Sequence, residues 1–119
     1  MFSGLLIKES LRDRSVLDRL RIVKEESWDI DDAAEGQSPV WNVAWFEIEE
    51  DFIDEMTEAL SEALEPGKWF LEISNDDTMI VVFPGKVFSY KKGDEAGREA
   101  VEEFGRSIGI PEHQLDWKE

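Results

Sequence analysis

The stretch Val40–Leu64, VWNVAWFEIEEDFIDEMTEALSEAL, contains two hydrophobic patterns, one directly after the other. Residues Val40–Ile48 are largely apolar on both alternating sides, which predicts a central β-strand that is covered on both faces at least in part. From Asp51 to Leu64 the apolar residues recur every three or four positions and fall on one side of a helix. A strand followed closely by an amphipathic helix predicts a domain in which helices pack on a sheet.

Five further segments are predicted to be strands, namely Gly4–Lys8, Arg21–Ile30, Trp69–Ser74, Thr78–Phe83 and Lys86–Lys91. The last three are joined by short turns, which predicts an antiparallel meander. A second main helix is predicted over Glu95–Ile108. We therefore expect residues 1–119 to form a single α+β domain, with a mainly antiparallel sheet of about five strands and two main helices packed on it.

Capping residues indicate where the helices begin and end. Ser15 precedes a short apolar run and is predicted to cap a short helix, and Asp51 is predicted to cap the helix over residues 51–64. After the final helix, Gly109 and Ile110 stand at the positions of a Schellman motif, in which a glycine with positive φ ends the helix.

The composition is that of a folded protein with one domain. The 119 residues are 41% hydrophobic and include five Trp and seven Phe, which favours a packed core. The absence of Cys excludes disulfides, thiolate metal sites and cysteine nucleophiles. The apolar run Phe2–Ile7 is too short for a signal sequence or a membrane span, so we expect a cytoplasmic protein.

The negative charge is concentrated in one part of the chain. Residues Glu25–Gly67 contain 15 Asp and Glu and neither Lys nor Arg, whereas Met1–Lys24 has a net charge of +3 and Lys68–Glu119 one of −4. A total charge of −16 disfavours binding to nucleic-acid phosphates or anionic membranes and favours a basic protein as partner. Two alternatives are open, namely acidity that only keeps the protein soluble and adaptation to high salt.

The polar side of the helix over residues 51–64 carries carboxylates at helical spacing, among them Glu55, Glu58 and Glu62. Like charges three or four residues apart destabilise a helix by about 0.2–0.5 kcal/mol per pair. The final helix, in contrast, contains two Arg at helical spacing from its acids. We interpret the carboxylates of the first helix as a contact surface for a basic partner. The alternative is an ordinary solvated face.

A second acidic group lies at the end of the predicted strand Arg21–Ile30. It consists of Trp28, Asp29, Asp31, Asp32 and Glu35. Interfaces combine aromatic anchors with complementary charge, so this group is a second candidate contact surface. Alternatively, Trp28 belongs to the core and the acids to a plain loop. The order of the acids does not match an EF-hand calcium loop, because Ala33 and Ala34 occupy two of its required positions, and we predict neither a metal site nor a cofactor.

The sequence predicts no catalytic residues. His113 is the only histidine and lies in a short tail, and the motifs of hydrolase nucleophiles and phosphate-binding loops are absent. The remaining group is aromatic and consists of Trp41, Trp45 and Trp69. We expect these residues in the core, unless a face of the sheet has no helix on it, in which case they line a ligand pocket or a dimer face.

Three segments resemble those of a group of short bacterial proteins that has no assigned activity, and they are Gly4–Leu11 (GLLIKESL), Val81–Phe88 (VVFPGKVF) and Gly109–Trp117 (GIPEHQLDW). The resemblance implies a bacterial source and a cytosolic setting. In size and charge the chain is also similar to acidic immunity and inhibitor proteins that bind basic nucleases. We therefore expect a non-enzymatic protein-binding module of inhibitor, immunity or accessory type. The alternative is a small-molecule binding domain or minor enzyme with a Trp-lined pocket.

Overall fold

A computed structural model describes residues 1–29, 39–67 and 69–115, apart from the side chain of His113. The strands are β1 (Phe2–Ile7), β2 (Arg21–Asp29), β3 (Val40–Ile48), β4 (Leu71–Ser74), β5 (Thr78–Phe83) and β6 (Lys86–Lys91). The α-helices are α1 (Ile53–Ala63) and α2 (Glu95–Ser107), and short 3₁₀ helices cover Lys8–Ser10, Arg14–Arg19, Glu50–Phe52 and Glu112–Gln114. None of the described helices is long and apolar enough to cross a membrane.

The strands form one antiparallel sheet with the order β2-β3-β1-β4-β5-β6. This confirms the α+β class, with six strands instead of about five, because each of the six predicted strand segments pairs as a separate strand. β1 lies inside the sheet, where Leu5 is opposite Trp45 of β3 on one side and Glu72 of β4 on the other. The edges of the sheet are β2 and β6. The register between β2 and β3 shifts at Val23, which makes a β-bulge in this edge strand.

The two α-helices pack on opposite faces of the sheet. One buried cluster joins Met56 of α1 to Val82 of β5, and a second joins Val101 of α2 to Val81 of β5. Because neighbouring residues of a strand point to opposite faces, the helices lie on opposite sides. We call these sides the α1 face and the α2 face. The cluster under α2 takes its strand residues from β5 and β6, at one end of the sheet.

The end of α2 has the predicted Schellman motif. Gly109 has a φ of 89°, in the left-handed region that favours glycine. Its N–H donates to the carbonyl oxygen of Arg106 at 3.0 Å, and the N–H of Ile110 donates to that of Gly105 at 3.0 Å. These two bonds satisfy carbonyl groups that have no partner within the helix.

Two predicted helix caps are wrong. The 3₁₀ helix Arg14–Arg19 is capped by Asp13 and not by Ser15. Oδ1 of Asp13 accepts hydrogen bonds from the N–H of Ser15 at 3.0 Å and from its hydroxyl at 2.6 Å. A carboxylate accepts two bonds at once, so the helix starts one residue before Ser15. Asp51 lies inside the 3₁₀ turn Glu50–Phe52, which leads into α1 without a side-chain cap.

Candidate functional site

α1 is rotated about its axis relative to the predicted apolar side. Thr57 and Ser61, which the periodicity places in solvent, are buried. Their hydroxyls donate to carbonyl oxygens three residues earlier at 3.2 and 2.8 Å, so their burial leaves no unsatisfied donor. The turn between β5 and β6 packs at this position, where the N–H of Gly85 donates to the carbonyl oxygen of Ser61 at 3.0 Å. Phe52, which belongs to the predicted apolar side, is 52% exposed.

The exposed side of α1 carries four carboxylates, Asp54, Glu55, Glu58 and Glu62, and we call them the α1 carboxylate face. Arg19 lies next to this face, with its Nη2 3.2 Å from Oε1 of Glu55. Among the described residues, the carboxylates of this face make no other ion pair. Glu58 and Glu62 therefore present their charge to solvent, one helical turn apart.

A groove of about 330 Å³ opens at the N-terminal end of α1. Its apolar lining consists of Met1, Ile48, Phe52 and Met56, and its charged lining of Arg19, Arg21, Glu47, Glu49 and Glu55. Arg21 Nε is 3.7 Å from Oε1 of Glu47 across the sheet edge. Glu55 belongs to both surfaces, so the groove is continuous with the α1 carboxylate face. The groove was not predicted from the sequence, because its walls come from three segments that are distant in the chain, namely Met1, residues 19–21 and residues 47–56.

Trp28 belongs to a different surface, which we call the aromatic patch and which consists of Lys24, Glu26, Trp28 and Trp45. The rings of Trp28 and Trp45 meet edge to face, with 5.8 Å between their centroids. Glu26 accepts the indole N–H of Trp28 at 3.0 Å and lies 2.6 Å from Nζ of Lys24. The hydrogen bonds from Lys24 and Trp28 lower the pKa of the Glu26 carboxyl. Nζ of Lys24 also lies 4.7 Å from the centre of the Trp45 ring, a cation–π contact.

The aromatic patch and the α1 carboxylate face lie on opposite sides of the sheet. Both neighbours of Trp45 in β3 are buried under α1, so Trp45 points to the α2 face. The structure therefore does not bring Trp28 together with Glu55, Glu58 and Glu62. Asp29 is exposed at the end of β2. The other predicted members of this acidic group, Asp31, Asp32 and Glu35, lie outside the described residues.

The three Trp that were expected in the core, or on a pocket or dimer face, lie in two places. Trp69 is buried in the core under α1, and its ring centroid is 5.5 Å from that of Trp41. Trp41 packs against the same core. Its indole N–H is buried and has no acceptor among the described residues. Trp45, in contrast, contacts Trp28 in the aromatic patch. The structure thus pairs the ring of Trp41 with that of Trp69 and the ring of Trp45 with that of Trp28, which lies opposite Trp41 in the sheet.

Glu72 is a candidate functional residue that the sequence analysis did not find. It lies in β4 opposite Leu5 and Val81, on the α2 face. Burial raises the pKa of its carboxyl to about 7, although the charge of Arg98 in α2 acts in the opposite direction. The signal that was available is a single acid in the apolar run around β4. Among the described residues, no three His, Asp or Glu side chains are grouped so that they could hold a metal ion.

The chain has no match among protein-family models, curated proteins or solved structures. Its function is therefore inferred from the geometry of the α1 carboxylate face, the groove and the aromatic patch.

Proposed function

We propose that the protein is a non-enzymatic binding module, which docks a basic surface of another protein on its α1 carboxylate face. The observation that carries this proposal is the row of exposed carboxylates on α1. Among the described residues, only Glu55 of this row makes an ion pair, and its partner is Arg19. An inhibitor, an immunity factor and an accessory subunit are the kinds of protein that use such a surface.

The distribution of charge on the two helices supports the proposal. On α1, Asp54 and Glu62 each stand four residues from Glu58, and each like-charge pair destabilises the helix by about 0.2–0.5 kcal/mol. On α2, Arg106 donates a hydrogen bond to Glu112 and lies near further acids of its own helix. Glu112 and these acids raise the pKa of the Arg106 guanidinium. A surface of one sign speeds association with an oppositely charged partner and sets its orientation.

The rigidity of α1 also supports the proposal. Met56 and Leu60, on the buried side of the helix, belong to the main core cluster. Arg12 ties the end of the helix to the preceding loop, because its Nη2 donates to the carbonyl oxygen of Glu62 at 2.9 Å. A partner therefore meets carboxylates on a helix that is already ordered, and binding requires little loss of backbone entropy.

The test compares three proteins as baits in a host lysate. The first is the wild type, the second carries Glu55→Lys, Glu58→Lys and Glu62→Lys, and the third carries Glu95→Lys, Glu99→Lys and Glu103→Lys. The third variant has the same net charge as the second, but its changes are at exposed positions of α2. Urea unfolding first establishes that both variants are folded.

We expect the wild type and the α2 variant to capture the same basic protein at low salt, and the α1 variant to lose it. The captured protein should dissociate at about 0.5 M salt, where charges are screened within a few ångströms. Equal capture by all three baits would remove the proposal, because the position of the carboxylates would then not matter.

A second candidate function is the binding of a cationic aromatic small molecule at the aromatic patch. The observation that favours it is the position of the Lys24 ammonium over Trp45 with Glu26 beside it, since a ligand cation could take the same place. We expect such ligands to change the tryptophan fluorescence of the wild type and to do so more weakly in Glu26→Gln. A flat response to a panel of cationic aromatic metabolites contradicts this function.

A further inference from the structure

We infer that the groove at the N-terminal end of α1 receives a large apolar side chain of the basic partner. The partner segment would thus carry an aromatic or aliphatic residue flanked by Lys or Arg, with the flanking cations next to Glu47 and Glu55. The inference rests on the proposed function, because Glu55 belongs to both the groove and the α1 carboxylate face.

The groove exposes apolar side chains that the fold leaves without cover. Phe52 is 52% exposed and Met1 is 48% exposed, and both line the groove, whereas Met56 forms a buried part of its lining. Ligand pockets typically range from about 300 to 1,000 Å³. A volume of about 330 Å³ is at the low end of this range, which fits one large side chain better than an extended ligand.

The charges around the groove favour a basic flank on the inserted residue. Three carboxylates and two guanidinium groups line it, the α-ammonium of Met1 pairs with Glu50 at 2.9 Å, and the acids Asp51 and Asp54 lie close by in the chain. The pair Arg19–Glu55, at 3.2 Å, joins two exposed side chains, and the pair Arg21–Glu47, at 3.7 Å, joins an exposed Arg to a Glu whose side chain is 33% exposed. Exposed ion pairs are weak, so a cation of the partner can replace either guanidinium at its carboxylate.

The exposed apolar lining and the charges around it together give an arrangement that is common in protein interfaces. An apolar anchor in a groove supplies most of the binding energy, and complementary charges around it set the orientation and speed the encounter. On this surface the groove is the place for the anchor, and the α1 carboxylate face is the charged surround.

The test uses synthetic peptides and the three methionines of the chain. One peptide is an acetylated and amidated heptapeptide with a central Phe between Lys residues, and the matched peptide has Gly at the centre. With ¹³C-methyl-labelled Met, NMR reports on Met1 and Met56 in the groove and on Met79, which is 2% exposed in the cluster under α2. Met79 is therefore an internal control.

We expect the Phe peptide to bind about tenfold more tightly than the Gly peptide, because it buries an aromatic side chain. It should shift the methyl signals of Met1 and Met56 and leave that of Met79 unchanged. If both peptides bind equally and no Met signal moves, the groove is not an anchor site, while the proposed function survives. If neither peptide binds, the inference falls and the proposed function loses support as well.

A pair of variants tests the groove independently of the methionine NMR signals. Phe52→Ala removes an apolar side chain that is half exposed, so the fold should tolerate it, and we expect the tenfold preference for the Phe peptide to disappear. The control is Val87→Ala, which changes an exposed apolar residue of β6 that does not line the groove. A tenfold preference that persists in Phe52→Ala would overturn the inference.

Discussion

Glu72 is opposite two apolar residues of neighbouring strands, Leu5 of β1 and Val81 of β5. Burial raises its pKa from 4.5 to about 7, against the lowering effect of Arg98. Between these two pH values, the folded protein holds a proton that the unfolded chain has lost. The contribution of Glu72 to the free energy of unfolding therefore falls as the pH rises from about 4.5 to about 7 and is lowest above 7.

Glu72→Gln should remove this pH dependence, because the amide has nearly the shape of the protonated carboxyl and no charge. We expect the variant to exceed the wild type in stability by about 3 kcal/mol near pH 8 and to equal it near pH 4. Urea unfolding of both proteins across this range measures the difference. Glu99→Gln, at an exposed position of α2, is the control. Parallel stability curves for wild type and Glu72→Gln would show that burial does not raise this pKa.

On α1, the same carboxylates that form the proposed docking surface oppose the stability of the helix. Glu58 has an acid four residues away on either side, at Asp54 and Glu62, and a further acid three residues away at Glu55. We expect Glu58→Lys to raise the free energy of unfolding by about 1 kcal/mol, because it converts these repulsive pairs into attractive ones. Glu58→Gln removes the repulsion alone and should give about half of this gain.

Urea unfolding at low salt measures both α1 variants, and the gain should shrink at high salt, where charge interactions are screened. A loss of stability in Glu58→Lys would mean that Glu58 makes a stabilising contact in the folded protein. With the expected gain, the variant separates stability from function, since it weakens the proposed docking surface while it strengthens the helix.

In the molecule as a whole, the sheet separates the two candidate binding surfaces. The α1 carboxylate face lies on the side that carries α1, and the aromatic patch lies on the α2 face. The groove lies beside α1, and Glu47, two residues from Trp45 in β3, reaches it from the α2 face. The two candidate functions are separable by mutation, because substitutions on one side of the sheet leave the other side intact.

The sequence predicted most of the elements but not how they meet. The strands and α2 follow local patterns, and the Schellman motif at Gly109 depends on a few adjacent residues, so both were predictable. The cap at Asp13 and the rotation of α1 were not predictable from local patterns. The rotation depends on the hydrogen bonds of Thr57 and Ser61 within the helix and on the turn at Gly85, which is distant in the chain.

By itself, the sequence determined the α+β class, the six strand segments and the concentration of negative charge between Glu25 and Gly67, because each is a property of contiguous residues. The tertiary structure alone decided that Trp28 lies on the side of the sheet away from α1, that a groove forms beside Phe52, and that the carboxyl of Glu72 is partly buried with a raised pKa. Each of these depends on which distant segments pair, since strand pairing chooses the face of the sheet on which every side chain lies.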